Sequence, residues 1–273
     1  MKKQKGAFSA IYSALILLFL YAPMGVMVWF SFNASNSTAT FAGFSLRWYG
    51  ALLENPDAQN ALRNTLVLAL LAASVSVALG TAAALGIDRL RKHWVRALLL
   101  HITNLPLMNP EIVTGISMML LFVFGAKLLH LDSPLGFGSL LIAHITFCLP
   151  YVILSVLPKL RQTDPHLAEA AQDLGCSRMQ AFFKVVLPAI STGVVSAFLM
   201  AFTISLDDFV ISNFTNGPSF QTLPLYIYSM TKKRVKPDMY ALSSLIFVAI
   251  FVLLLLSNWA QARAEKRATK KEG

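Results

Sequence analysis

Charge is scarce in this chain: 13% of its 273 residues are Asp, Glu, Lys or Arg, while 56% are hydrophobic. That excludes an ordinary water-soluble domain, in which about a quarter of the residues carry charge. Cysteine is nearly absent. Cys148 falls in an apolar stretch and Cys176 in a polar loop, which leaves no plausible pair to bridge. No C-x-x-C or His/Cys ligand spacing occurs, so neither a zinc site nor a redox motif is supported. A glycine-rich phosphate loop ending in Lys and Ser or Thr is also missing, which excludes ATP hydrolysis by that route. No His-rich motif, no G-x-S-x-G and no paired acidic motif beyond Asp207-Asp208 is present, which argues against a membrane-embedded enzyme. The chain is therefore expected to be neither an enzyme nor a holder of a metal or cofactor. It has no clean internal repeat, low-complexity tract or soluble domain.

What it has is apolar length. Crossing a hydrocarbon core of about 30 Å takes about 20 helical residues. Six stretches qualify, at about 10–30, 65–87, 97–124, 139–157, 189–211 and 240–259. They are continuous rather than alternating, which points to a helical bundle and not a β-barrel. Residues 1–273 thus read as one all-α integral membrane domain with six transmembrane helices. The first stretch follows Lys2, Lys3 and Lys5 as a signal peptide would. It is longer than a signal core, contains Pro23 and ends in Trp29-Phe30 without a cleavage site, so it reads as a retained helix.

The formal net charge of +10 invites a nucleic-acid reading, but the positions of the charges argue against one. With the N-terminus inside, the segments on that side hold Lys2, Lys3, Lys5, Arg89, Arg91, Lys92, Arg96, Lys159, Arg161, Arg178, Lys184, Arg263, Lys266, Arg267, Lys270 and Lys271, 16 of the 23 basic residues. Positive-inside bias then puts both termini in the cytoplasm. Lys232, Lys233, Arg234 and Lys236 are the exception, in the last external loop.

The first external loop, about 31–64, opens with an irregular Asn/Ser/Thr run, and Trp48-Tyr49 reads as an interfacial anchor. A short basic turn, Asp88–Arg96, joins spans two and three. The third stretch is interrupted by L-P-L-M-N-P-E; such a break survives in a membrane only where protein or a wet cavity satisfies the freed backbone. The apolar centre of the last external loop, about 212–239, predicts a short helix at the outer surface.

The cytoplasmic loop 158–187 carries the most information. Asp164 is placed to cap a helix that starts at Pro165. Leu167, Ala170, Ala171 and Leu174 recur at helical spacing, and the alanine pair allows close approach of another surface. Gly175 supplies a positive φ to end the helix, and Ser177 with Gln180 forms a capping box that starts the next. Phe182, Phe183, Val185 and Val186 cover its apolar side. Periodicity alone fits an amphipathic helix resting on lipid equally well.

Glu169-Ala170-Ala171, then Gly175, then Leu187-Pro188 resembles the E-A-A…G…L-P loop of membrane subunits of ABC importers. The resemblance spans the chain and implies a type I importer permease (MetI-like) fold. It also implies that this loop holds a coupling helix seated in a groove of a cytoplasmic ATPase, a helix-in-groove contact. Further segments narrow it: S-F-N-A-S, L-R-W-Y, M-N-P-E-I-V, A-H-I-T-F-C-L-P-Y, S-L-D-D-F-V-I-S-N-F and T-N-G-P-S…L-P-L-Y-I-Y-S-M are similar to the second membrane subunit of spermidine/putrescine importers. The resemblance attaches transfer roles to Trp48, Glu111, Ser205, Asp207 and Asp208, and a coupling role to Glu169. Relatives often have Asp where Glu111 stands.

Those residue types suit a polycation, since carboxylates replace its water and aromatic faces attract it. Each also has a simpler reading. Asp207 and Asp208 could cap structure at headgroup level, Glu111 could cap a helix break, and Trp48 could be only an anchor. Neighbouring helical residues point about 100° apart, so one of the two aspartates is expected to face a route and the other a neighbouring helix. His144, alone on an apolar helix, reads as a hydrogen-bonded packing residue. The Lys232–Lys236 cluster would repel a free polyamine; it either meets an acidic patch on a binding protein or is solvated.

The resemblance implies a bacterial inner-membrane, multi-pass subunit forming half of a polyamine route. Its partners would be a homologous permease subunit, two cytoplasmic ATPase subunits that bind the ATP, an external substrate-binding protein and membrane lipid, with no nucleic acid. The alternatives are an importer for another small solute and, less well supported, an ion-coupled secondary transporter. Spermidine and putrescine are not separated by the sequence.

Overall fold

A continuous apolar run can satisfy its own backbone in a bilayer by winding into a helix. The computed structural model, which describes residues 7–35, 40–130, 132–218, 220–232, 238–252 and 255, is built of such helices. They are α1 (Ala7–Ser31), α2 (Arg47–Leu53), α3 (Pro56–Arg89), α4 (His93–Met108), α5 (Glu111–Leu128), α6 (Phe137–Gln162) and α7 (Leu167–Asp173). Next come α8 (Arg178–Ala181), a π-helical turn (Phe182–Val186), α9 (Leu187–Ala189), α10 (Ser191–Asp207), α11 (Val210–Thr215), α12 (Leu223–Thr231) and α13 (Asp238–Val252). Among the described residues the β pairing is a single bridge, Asn33 to Phe44.

Four helices are long and apolar enough to cross a membrane: Ile11–Ser31, Pro56–Arg89, Glu111–Leu128 and Phe137–Gln162. A fifth span runs through Ser191–Asp207 and, after a break at Asp208, α11; Arg178–Ala189 meets it at 74°. The sixth begins with α13, and most of the remainder to Trp259 lies outside the described residues.

One expected span breaks where the sequence predicts, and another ends early. The stretch 97–124 is not one helix: α4 ends at Met108 and α5 begins at Glu111. Pro110 disfavours helical backbone in the residue before it, and Asn109 is extended at φ −82°, ψ 143°. Pro106, by contrast, is carried inside α4. The stretch 189–211 stops at Asp207, because Asp208 is extended at ψ 122° and its carboxylate caps the following helix.

The chain divides into two compact units. The first gathers α1, α2, the opening turn of α3, the later part of α12, and α13. In it the polar loop after α1 folds around Asn33, whose Oδ1 accepts from Ala42 N (2.9 Å) and whose Nδ2 donates to Thr40 O (2.7 Å). Phe32 stacks on Phe44 at 4.8 Å, and Ser31 Oγ lies 2.7 Å from Tyr49 OH. Tyr226 OH accepts from Asn55 Nδ2 at 3.1 Å. Large apolar side chains of α1, Phe19 among them, stay exposed, as befits a helix whose solvent is hydrocarbon.

The second unit, Asn60–Leu225, holds the core. Cys148, Val152 and Val156 of α6 are fully buried with Ala197 and Ala201 of α10 and Ala73 and Ala84 of α3. Lipid gives no hydrophobic push between helices, so close packing through small residues holds them. Gly80 shows how close: a Cβ there would stand 2.5 Å from Val152 Cγ1. At the turn between α3 and α4, Arg96 donates to Asp88 (3.0 Å), and Arg161 lies 3.7 Å from the same carboxylate, joining α3, α4 and α6. The short helix expected in the last external loop is α12, whose first amide, Leu223 N, donates to Thr65 Oγ1 at 2.7 Å.

Candidate functional site

The helix pair α7–α8 is set by its turn. Gly175 has φ +88°, its N–H donates to Gln172 O (2.9 Å), and Cys176 N donates to Ala171 O (3.0 Å). These two bonds make a Schellman motif, which satisfies the last carbonyls of α7. The capping box forms as expected: Ser177 N donates to Gln180 Oε1 (3.0 Å), and Gln180 N to Ser177 Oγ (3.3 Å). Asp164 differs from expectation. Its carboxylate accepts from His166 N (2.9 Å) in a local turn, and α7 starts at Leu167, two residues after Pro165. The bond to His166 competes with a cap, as short carboxylate side chains do.

The alanine pair is split. Ala171 is buried as α7 packs on α8 and the π turn, together with Ala181 and Val186, while Ala170 stays exposed. Leu174 is 88% exposed, and Met179 and Phe183 are open as well. Leu187 packs against the core beside Ile190, and Pro188 is exposed. Glu169, exposed in the first turn, accepts from His166 Nδ1 at 3.1 Å, and this carboxylate raises the imidazole pKa above its ordinary value, helped by Asp164.

The second cluster surrounds the break in the fifth span. Asp208 is buried: its Oδ1 accepts from Ile211 N (3.2 Å), and its Oδ2 from Ser212 N (2.8 Å) and Ser212 Oγ (2.9 Å). A carboxylate that deep persists only when so fully bonded. Ser205 is buried too, with its Oγ 2.8 Å from His144 Nδ1. Asp207, next in line, is exposed. Glu111, exposed at the first position of α5, joins this neighbourhood through the packing of α11 against α5 and α6. Among the described residues neither Glu111 nor Asp207 has an ion-pair partner.

The short helix α11 is locked in place. Gly115 of α5 admits Phe214, a Cβ there standing 2.9 Å from its ring, and Ser139 Oγ donates to Thr215 O at 3.0 Å. Glu111, Ser205, Asp207 and Asp208 therefore share one neighbourhood, two open and two enclosed. Trp48 belongs to the first unit, on α2, with its indole N–H donating to Asn33 O at 2.7 Å. Of the basic external cluster only Lys232 falls within the described residues, its Nζ 4.6 Å from the centre of the Tyr228 ring.

Three participants were not singled out from the sequence as site residues: Tyr151, Ser212 and the bridging role of His144. The Asp208/Ser212 spacing of four was the available signal, since it lets a carboxylate reach one turn forward.

Comparison with known proteins agrees with this architecture. A putrescine transport system permease protein, PotI of Escherichia coli (strain K12), is 38% identical over 249 residues, covering 91% of this chain and 89% of the relative. The spermidine/putrescine transport system permease protein PotC of the same organism is 36% identical over 256 residues, covering 93% and 91%. Among solved structures, a bacterial ABC transporter involved in the import of the acidic polysaccharide alginate shares the fold with a TM-score of 0.70 at 18% identity, covering 94% of each chain. Residues 76–270 match the model of binding-protein-dependent transport system inner membrane components, and the chain belongs to that family of multi-pass bacterial inner-membrane permeases.

Proposed function

We propose that this chain forms half of a polyamine import route and is driven by separate ATPase subunits that grip α7. The observation that carries the substrate reading is the pair of open carboxylates, Glu111 and Asp207, that no cation of the described chain neutralises. Two anions at neighbouring helix breaks, at membrane depth, are expensive unless a cation visits them. A polyamine presents ammonium groups along a flexible chain, so it can trade hydration for successive carboxylates, with the half-buried Tyr151 ring adding cation–π attraction. The relatives named for putrescine and spermidine support this choice. An acidic polysaccharide such as the fold neighbour carries would be repelled by the same pair.

On the cytoplasmic side, α7 presents Glu169, Ala170 and Leu174 as a docking surface, with Gly175 setting the turn and Leu187-Pro188 leading back to the membrane. ATP, bound by the partner, would favour one arrangement of a homologous permease pair over another, as any two-state coupling requires. An external binding protein would deliver the substrate, and both termini would lie in the cytoplasm. The test is uptake of radiolabelled putrescine and spermidine into vesicles holding the whole complex. ATP-dependent accumulation that weakens in Glu111→Gln and Asp207→Asn is expected; ion-gradient-driven uptake without ATP would overturn the reading.

A further inference from the structure

We propose that His144 is a positioning residue for transport: one imidazole pins both sides of the break in the fifth span and so fixes the direction in which Asp207 leaves α10. The inference rests on Asp207 being a substrate contact. His144 sits on α6 and is 2% exposed. Its Nδ1 is 2.8 Å from Ser205 Oγ, on α10 before the break. Its Nε2 is 3.0 Å from Ser212 Oγ, on α11 after the break, and 3.4 Å from Asp208 Oδ2. A histidine that merely packs needs its nitrogens satisfied; it has no need to join two helices that the backbone has just separated.

The bonding has a direction in the neutral ring. Asp208 as a carboxylate only accepts, so the Ser212 hydroxyl donates to it. Ser212 Oγ then accepts from His144 Nε2–H, which leaves Nδ1 to accept from the Ser205 hydroxyl. The chain runs Ser205 to His144 to Ser212 to Asp208, and every donor in it is used. Asp208 in turn holds the first amides of α11. Asp207 lies between the two pinned points, with Ser205 two residues before it and Asp208 one after. With no hydrogen bond from α6 to its own side chain, its exposure is set by the strut behind it.

A double-mutant cycle separates this role from plain stability. The readout is the KM and maximal rate of ATP-driven putrescine and spermidine uptake by the reconstituted complex. His144→Ala is expected to raise KM about tenfold in the presence of Asp207, and to add less than about twofold in an Asp207→Asn background. His144→Gln, whose amide offers an acceptor and a donor, is expected to recover most of the affinity. Where the alanine variant fails to assemble, Ser205→Ala, which loses one hydroxyl, is expected to raise KM about threefold with the same non-additivity. Additive losses, or a lower maximal rate at unchanged KM, overturn the role of His144 while leaving Asp207 in place. An Asp207→Asn variant with unchanged KM overturns both.

Discussion

Replacing Gly175 tests the docking helix at one atom. At φ +88° a residue with a side chain is strained by about 1–2 kcal/mol from the left-handed backbone alone. No steric term enters, because a Cβ built there meets nothing within 4 Å. Gly175→Ala therefore shifts the balance between closed and open turn about 5- to 30-fold, with no clash to confuse the result. Gly175→Val is expected to be worse, being β-branched, and Gly175→Asn milder, since asparagine tolerates this region. Two assays report on it. Hydrogen exchange at the Cys176 amide, which donates to Ala171 O, should quicken in the order Asn, Ala, Val. ATP-driven uptake should fall in the same order while membrane insertion holds. Equal activity in glycine, asparagine and valine forms would refute the argument that turn geometry presents the helix.

Four other outcomes are expected. Glu111→Gln and Asp207→Asn should each raise the uptake KM about tenfold, consistent with losing one screened charge contact of about 1–2 kcal/mol; unchanged KM in both would remove the carboxylates from the route. Gly80→Val should destabilise the helix bundle by about 1–3 kcal/mol through overlap with Val152, and Val152→Ala should relieve this only in part, because the Cβ it keeps still stands 2.8 Å from the new one; full recovery of accumulation in the membrane would contradict that packing. An NMR titration of His166 should give a pKa above the ordinary histidine value that falls in Glu169→Gln. Because the folded value is the raised one, the pair's contribution is full at pH below the ordinary value and is lost as pH rises through the raised one; docking that tightens over that rise would contradict the pairing.

Much of the fold could be read from apolar length, because a span is a matter of counting residues against bilayer thickness. Local punctuation also survived into the structure: Gly175, the Ser177/Gln180 box and the Asn109-Pro110 break act through their nearest neighbours. What could not be read was rotational phase. Whether Asp207 or Asp208 turns inward depends on where α10 stops, and that is decided by Asp208 finding two amides and a hydroxyl on α11. Likewise the buried face of α7 takes Ala171 and leaves Ala170, a choice made by α8 and the π turn. His144 read correctly as hydrogen-bonded, but its partners lie 61 and 68 residues away, beyond any local pattern. Asp164 was misread as a cap because a turn with His166 uses the same chemistry one step earlier.

The elbow at Ile190 gives the molecule a crank. Its arm, Arg178–Ala189, is about 18 Å long at 1.5 Å of rise per residue, and meets Ser191–Asp207 at 74°. A push of about 3 Å at the arm's tip swings it through about 10°, simple trigonometry on that length. The pivot is stiff: Ile190 is wholly enclosed, and a Cβ at Gly193 would already overlap Lys159. A sideways force on the arm, of the kind the proposed docking would deliver, would reach the span as torque, and the far end of the same rod is where Asp207 sits.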